Sequence, residues 1–274
     1  MCKGSGRELQ ASHFLPAGVY RVTRDETQNN PDPLKLNDHG VFQNSKQVKD
    51  YLLCRECEER LNKGGEHWFL ANCWRKDKFL LASLLDAARP AESSGAIKVF
   101  HADQFPAVDV AALTYFAASM FWRASVHQWK SDEKENRGIT LGPYEEDLRL
   151  YLMGQVPFPE NYVLWVSIPE TITPFVHLSL TPYGGRREGF HLYKLLVLGI
   201  GFHMHVGGRI PAAARPMCFV SGVGHPIYRT DLLEKGIIQD VHYKFDRHRH
   251  ITTTQIYDNR RRGTAQSASH KLVI

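Results

Sequence analysis

The sequence predicts an α+β protein, in which an N-terminal metal-knuckle module is followed by a domain of helices packed on an antiparallel sheet. Three observations carry this expectation. Cys54-Arg-Glu-Cys57 follows the apolar Tyr51-Leu52-Leu53, and Cys-x2-Cys spacing places two thiolates on one tight turn, as a tetrahedral Zn²⁺ site requires. Ala111 to Trp129 is rich in Ala and aromatic residues without Pro or Gly, which reads as a helix. From Tyr162 the texture becomes β-rich, with Tyr162-Val-Leu-Trp-Val-Ser-Ile168 the first such run.

Taken in order, the chain divides into residues 1–90, 98–240 and 241–274, with Ala91 to Ile97 the boundary between module and domain. Ser12-His13-Phe14-Leu15-Pro16 lies about forty residues before the knuckle. Residues 23–48 are polar and include Asn29-Asn30-Pro31-Asp32-Pro33 and Asn37-Asp38-His39-Gly40, so they read as a long surface loop. A short helix should leave the knuckle from Glu56 to about Leu70, interrupted near Gly64-Gly65, and residues 76–87 have helical apolar spacing. In the long helix, Phe116, Met120, Arg123 and His127 fall on neighbouring turns, so Arg123 can reach a polar site beside the core.

Pro143 starts a second helix whose first turn carries Glu145, Glu146 and Asp147. The helix dipole favours carboxylates there, and they need no catalytic explanation. Strands are expected at 162–168, 175–180 and 195–206, with turns at Tyr183-Gly184-Gly185 and Gly207-Gly208. His203 and His205 share one strand face by the two-residue period; without a nearby carboxylate the pair reads as a polar strand face.

One knuckle is half of a metal site. The remaining ligands available near it are Cys2, and then Cys73 or His67. The order Cys2, Ser12-His13-x-x-Pro16, Leu52-Leu53-Cys54-x2-Cys57-Glu58 resembles the zinc treble clef of His-Asn-His (HNH) endonucleases. It is most similar to a bacterial HNH-endonuclease-like family that begins Cys-x2-Cys, Ser-His-x-x-Pro, Leu-Leu-Cys-x2-Cys-Glu. The resemblance continues through Phe116-Ala-Ala-Ser-Met-Phe-Trp-Arg123 and Leu152-Met-Gly-Gln-Val-Pro-Phe-Pro159, and covers about residues 2 to 240. The chain departs from that pattern in its first knuckle, where only Cys2 stands, directly after Met1. A start placed upstream would supply the missing cysteine.

The resemblance implies a structural Zn²⁺ on Cys2, Cys54 and Cys57. It also implies metal-dependent DNA cleavage, in a setting such as defence against foreign DNA or a mobile element. His13 takes the position of the general base on water, for which imidazole has a suitable pKa. Glu58 stands where a ligand His usually follows the second Cys, and a carboxylate suits Mg²⁺ or Mn²⁺. Ser12 stands where an acidic or imidazole ligand is usual. The middle Asn is absent: position 49 is Lys, and Asn44 is the nearest alternative. Two readings of His13 therefore stand open, a general base or a buttress packed by Phe14 and Pro16. Two functions stand with them: a nuclease, or a non-catalytic zinc module that binds protein or nucleic acid.

Composition and charge bound the rest. The chain has 274 residues and five cysteines, an odd number that fits a reducing, cytoplasmic setting better than a disulfide framework. No apolar run has the length of a signal or membrane span; the longest is Leu195 to Phe202. Residues 241–274 hold seven Lys or Arg against two acidic residues, which equals the +5 of the whole chain, so residues 1–240 balance. A neutral body with a basic tail is not the footprint of a large nucleic-acid surface, although the tail can grip phosphates or remain a solvated end. Within it, His248 precedes Tyr257 by nine residues, followed by Asp258-Asn259-Arg260-Arg261-Arg262. That spacing resembles the terminal box of tyrosine recombinases. No upstream His-x-x-Arg box accompanies it, so Tyr257 is expected to be inert.

Overall fold

The computed structural model describes residues 1–4, 6–24, 34–37, 40–43, 47–75, 78–127, 139–170 and 179–231. It is a mixed helix-and-sheet protein, in keeping with the α+β expectation. The chain opens with β1 (Leu9–His13) and α1 (Ala17–Thr23), which starts immediately after Pro16. Residues Leu34–Asn37 (β2) and Gly40–Gln43 (β3) pair antiparallel, so part of the expected 23–48 loop is a hairpin. Val and Phe at positions 41 and 42 supply the β preference that the flanking Asn, Asp and Gly concealed.

β4 (Lys49–Cys54) pairs antiparallel with β1, with an irregularity in register between Gln10 and Ala11. Ser12 secures that irregularity. Its hydroxyl donates to the Gln10 carbonyl at 3.3 Å and accepts the Leu53 N–H at 3.2 Å. β4 runs straight into α2 (Arg55–Leu61), a π-turn (Asn62–Glu66) and α3 (His67–Asn72). The expected interruption at Gly64-Gly65 is thus a widened turn inside one continuous helix. The glycines are required by close approach: a Cβ on Gly65 would lie 2.6 Å from the Phe116 nitrogen, and one on Gly64 2.3 Å from the Tyr115 ring.

Trp74–Arg75 (β5) and Lys78–Phe79 (β6) form a short ladder before α4 (Leu80–Asp86), which is shorter than the 76–87 span anticipated. Glu92–Ser94 (β7) and Ile97–His101 (β8) then make a hairpin at the edge of the main sheet. The stretch 91–97, expected as a boundary, is occupied by this hairpin, whose turn is made possible by Gly95 at φ 55.

The long helix α5 spans Val110–Val126, capped by the Asp109 carboxylate accepting the Ala112 N–H at 2.9 Å. It is buried along nearly its whole circumference, as its all-round Ala and aromatic composition requires. Phe69 of α3 stacks on Phe116 at 3.9 Å, and Phe202 of the sheet meets Phe116 from another side at 6.0 Å. α6 (Tyr144–Leu152) begins after Pro143 as expected. Its acidic first turn is occupied structurally: Glu146 pairs with Arg149 and Lys3, and Asp147 accepts the Tyr162 hydroxyl at 2.8 Å.

The main sheet has seven strands in the order β10-β11-β12-β9-β13-β8-β7, with β9 Val163–Ile168, β10 Leu180–Arg186, β11 His191–Val197, β12 Ile200–Val206 and β13 Pro226–Arg229. Three sequence expectations change here. The sheet is mixed, because β13 lies parallel to β9; β12 runs antiparallel to β9 and ends beside its start, so the segment 207–225 passes β9 at that same end of the sheet and β13 enters on its other side in the direction of β9. The run 195–206 is two strands, reversed at Leu198 (φ 48) and Gly199 (φ 78), both of which the two-residue turn requires positive. The Leu198 peptide is held from both sides, by Ser179 Oγ accepting its N–H at 3.1 Å and Trp74 Nε1 donating to its carbonyl at 3.0 Å. Gly184 and Gly185 lie within β10, and the chain turns instead around residues 187–190, where Arg187 N–H meets Phe190 O at 2.7 Å.

One face of the sheet, with Leu164, Val166, Phe202 and Met204, belongs to a continuous apolar core that also takes in Phe14, Leu53, Leu61, Phe69 and α5. Arg229, buried in β13, ties the sheet to α4 through Asp86 (2.9 Å) and the Ala82 carbonyl (3.3 Å), and also meets Glu170 just after β9 (3.3 Å). Among the described residues no helix is long and apolar enough to cross a membrane. The expected strand residues 175–178, Asn44 and the entire 241–274 tail lie outside the described residues.

Candidate functional site

Cys54 is the last residue of β4 and caps α2, and Cys57 sits one turn into that helix. Cys2 reaches them from the N-terminal segment. The three sulfurs lie within 4.8 Å of one another, and Cys2 Sγ is 3.7 Å from Cys54 Sγ. Four bonds of ~2.3 Å in a tetrahedron give S···S edges of about 3.8 Å, so the thiols are spaced to share one ion. All three are free thiols.

The N-terminal segment is held for this purpose by α6 and by the backbone. Arg149 Nη1 donates to the Met1 carbonyl at 2.9 Å, and Lys3 meets Glu146 at 3.1 Å. Lys3 and Gly6 both adopt positive φ (56 and 73), which wraps the chain around Cys2. The Cys2 thiol is lowered to about 7, first by the Gly4 N–H and then by the Cys57 side chain; Cys57 is pushed up to about 12, mainly by burial. Crowded thiols that donate to one another have this split, and a divalent cation removes it by stabilising all of them as thiolates. Arg7 adds positive charge at the rim, with Nη1 3.7 Å from Cys54 Sγ and 2.9 Å from Glu56.

Neither fourth ligand expected from sequence joins the group. Cys73 is fully buried in the core at the end of α3, its thiol pushed upward by burial alone, and His67 is exposed. No further Cys, His, Asp or Glu among the described residues lies with the three sulfurs.

His13 ends β1, directly across the ladder from Lys49. The ring is half-buried, 6.4 Å from Tyr20. Burial lowers its pKa most; Lys49 and Arg123 push the same way, while a Gln47 side-chain hydrogen bond and the Glu58 carboxylate oppose them. A neutral imidazole is therefore the favoured form near neutral pH. Glu58 follows Cys57 on α2, and its Oε1 is buried with no hydrogen-bond partner. A buried carboxylate oxygen left unpaired is costly, which makes it fit for a cation. Ser12 is committed to the β1–β4 pairing by both of its hydrogen bonds and offers no ligand.

Sequence reasoning placed Arg123 beside a polar site but missed its partner. Arg123, 2% exposed, donates Nη1 to the Phe14 carbonyl at 3.3 Å and pairs through Nη2 with Glu66. Glu66 lies in the π-turn, whose displaced register hid it from a 3.6-residue reading.

The His203/His205 face is not a solvated one. Both rings are buried, and His205 is stacked on Phe190 at 5.5 Å and lies 4.5 Å from the Trp165 ring. Its pKa falls to about 4, chiefly through burial. Tyr257 and His248 lie outside the described residues. Comparisons with protein-family models, with curated proteins and with solved structures find no match to this chain.

Proposed function

We propose that this chain is a metal-dependent, HNH-type endonuclease acting on DNA, built on a treble-clef zinc module. The observation that carries the reading is the convergence of Cys2, Cys54 and Cys57 at the start of α2, the helix that also bears Glu58, whose Oε1 is buried with no hydrogen-bond partner. The β1–β4 pair leading into α2, with Cys54 and Cys57 at that junction and Cys2 reaching it from the N-terminal segment, supports the treble-clef reading. In this reading Cys2, Cys54 and Cys57 would hold Zn²⁺, which would secure the fold, and Glu58 would hold Mg²⁺ or Mn²⁺, which would supply positive charge beside the scissile phosphate.

His13 then acts on water. The neutral ring nitrogen accepts one water proton as the water oxygen forms a bond to phosphorus and the ester P–O bond on the leaving side breaks. Burial keeps the ring neutral and ready to accept that proton. Purified protein should nick plasmid DNA with Mg²⁺ or Mn²⁺ and stop with EDTA; absence of cutting with any divalent metal would overturn the proposal.

A second reading, a non-catalytic zinc module that binds protein or nucleic acid, is favoured by Lys49. This cation stands opposite His13 where the Asn of the motif is expected. Retained zinc and DNA binding without cleavage would select it.

A further inference from the structure

We propose that Arg123 and Glu66 form a positioning clamp for the His13–Glu58 site, so that α5 serves as its base. This rests on the nuclease reading for its catalytic consequence, but not for its geometry. One guanidinium bridges two pieces of chain that are otherwise remote in sequence. Nη1 holds the carbonyl of Phe14, the residue directly after His13, and Nη2 holds the carboxylate of Glu66. Glu66 lies eight residues beyond Glu58 on the same continuous helix. The clamp therefore relates the strand end that presents His13 to the helix that presents Glu58.

The surroundings support position over surface chemistry. Arg123 and Glu66 side chains are 2% and 11% exposed, so the guanidinium is not offered to a phosphate. Phe14 is seated by other contacts as well: its N–H meets the Val48 carbonyl at 2.9 Å and its ring packs edge-on to His127 at 6.3 Å. The arginine adds a side-chain link between this segment and the π-turn of the helix, beyond the pairing of β1 with β4. Gly65 lets the link form, because a Cβ there would lie 2.7 Å from the Ala112 carbonyl and hold the π-turn off α5. A buried ion pair is weak evidence for stability, since apolar replacements of equal volume are often neutral. What the planar fork provides is a fixed relation between two acceptors, which a lysine cannot reproduce.

The test uses the full zinc-loaded chain with isotope-labelled histidines, comparing wild type, Arg123→Lys, Glu66→Gln and the paired apolar variant R123M/E66L. His13→Ala assigns the His13 ring signal. The clamp predicts that this signal moves or broadens in all three variants, while zinc stoichiometry and the His203 and His205 signals stay as in wild type. Nicking should fall on the order of 10²-fold in kcat with little change in KM, and Arg123→Lys should cost nothing further in the His13→Ala background. A folded Arg123→Lys or R123M/E66L protein with an unmoved His13 signal would overturn the clamp. If no protein nicks DNA, the nuclease reading fails while the His13 signal still decides the clamp.

Discussion

At the scale of single residues, His13 and Glu58 separate the two functional readings. His13→Ala should lower cleavage by ~10²–10⁴-fold, the usual contribution of a general base, and leave bound zinc unchanged. Glu58→Ala should raise the Mg²⁺ or Mn²⁺ concentration needed for cleavage, again without loss of zinc. Parallel metal analysis and nicking assays read both effects; if His13→Ala unfolds the protein, the ring is a buttress. A second residue-scale prediction concerns His205. Its folded pKa lies at about 4 against an ordinary 6.5, so the unfolded chain binds the extra proton between those values. That contribution to stability is full above 6.5 and is lost as pH falls toward 4. His205→Phe should flatten the fall in urea midpoint between pH 6.5 and 4 relative to wild type. An equally steep fall would show that His205 is not its source. Legibility at this scale was uneven: Cys54 and Cys57 were readable because their spacing is a chemical pattern and Cys2 through the family resemblance, whereas Glu66 was not, because nothing local distinguishes a buried carboxylate from a solvated one.

Among the elements, the π-turn is the one on which the site geometry most depends. The expected break at Gly64-Gly65 is instead a widened helical turn pressed on α5. Gly65→Ala introduces a methyl against backbone atoms that cannot rotate away, and overpacking of this kind costs about 1–3 kcal/mol. Urea unfolding of Gly65→Ala should report that loss, and an unchanged midpoint would mean the π-turn is not tightly seated. The strands were legible as β-rich runs, but their ends were not. Leu195 to Val206 reads as one apolar strand because Leu198 has no turn preference; the reversal there depends on Gly199 and on the hydrogen bonds of Ser179 and Trp74 to the Leu198 peptide. The β7–β8 hairpin was hidden by a composition of Ser, Glu and Gly that resembles a linker.

For the whole molecule, the thiol cluster should act as a metal-dependent staple between the N-terminal segment and the knuckle. Cys54→Ser and Cys57→Ser should each lose stoichiometric zinc and unfold at lower denaturant, because metal binding free energy is folding free energy in such modules. Cys73→Ser should keep its zinc, since that thiol lies in the core and away from the cluster. Full zinc in Cys54→Ser, or its loss in Cys73→Ser, would refute the assignment. Tyr257→Phe should leave any cleavage intact and no covalent protein–DNA adduct should form; a phosphotyrosyl adduct would give the basic tail a chemistry of its own.

The sequence by itself determined the mixed helix-and-sheet class, the Cys54–Cys57 pair of the thiol cluster, α5 and α6 to within a few residues, and the β texture after Tyr162. Cys54 and Cys57, the helices and the strands are encoded in local spacing (i and i+3 cysteines, Pro-free apolar runs, period-two strands), whereas Cys2 was expected only through the family resemblance. Only the tertiary structure decided that Cys73 and His67 stand apart from the sulfur cluster, that β13 enters parallel to β9, and that Arg123 joins Phe14 to Glu66 across separations of 109 and 57 residues. Those outcomes depend on which remote surfaces pack together, and burial, pairing and ion-pair choice are set by that packing rather than by any short window of residues.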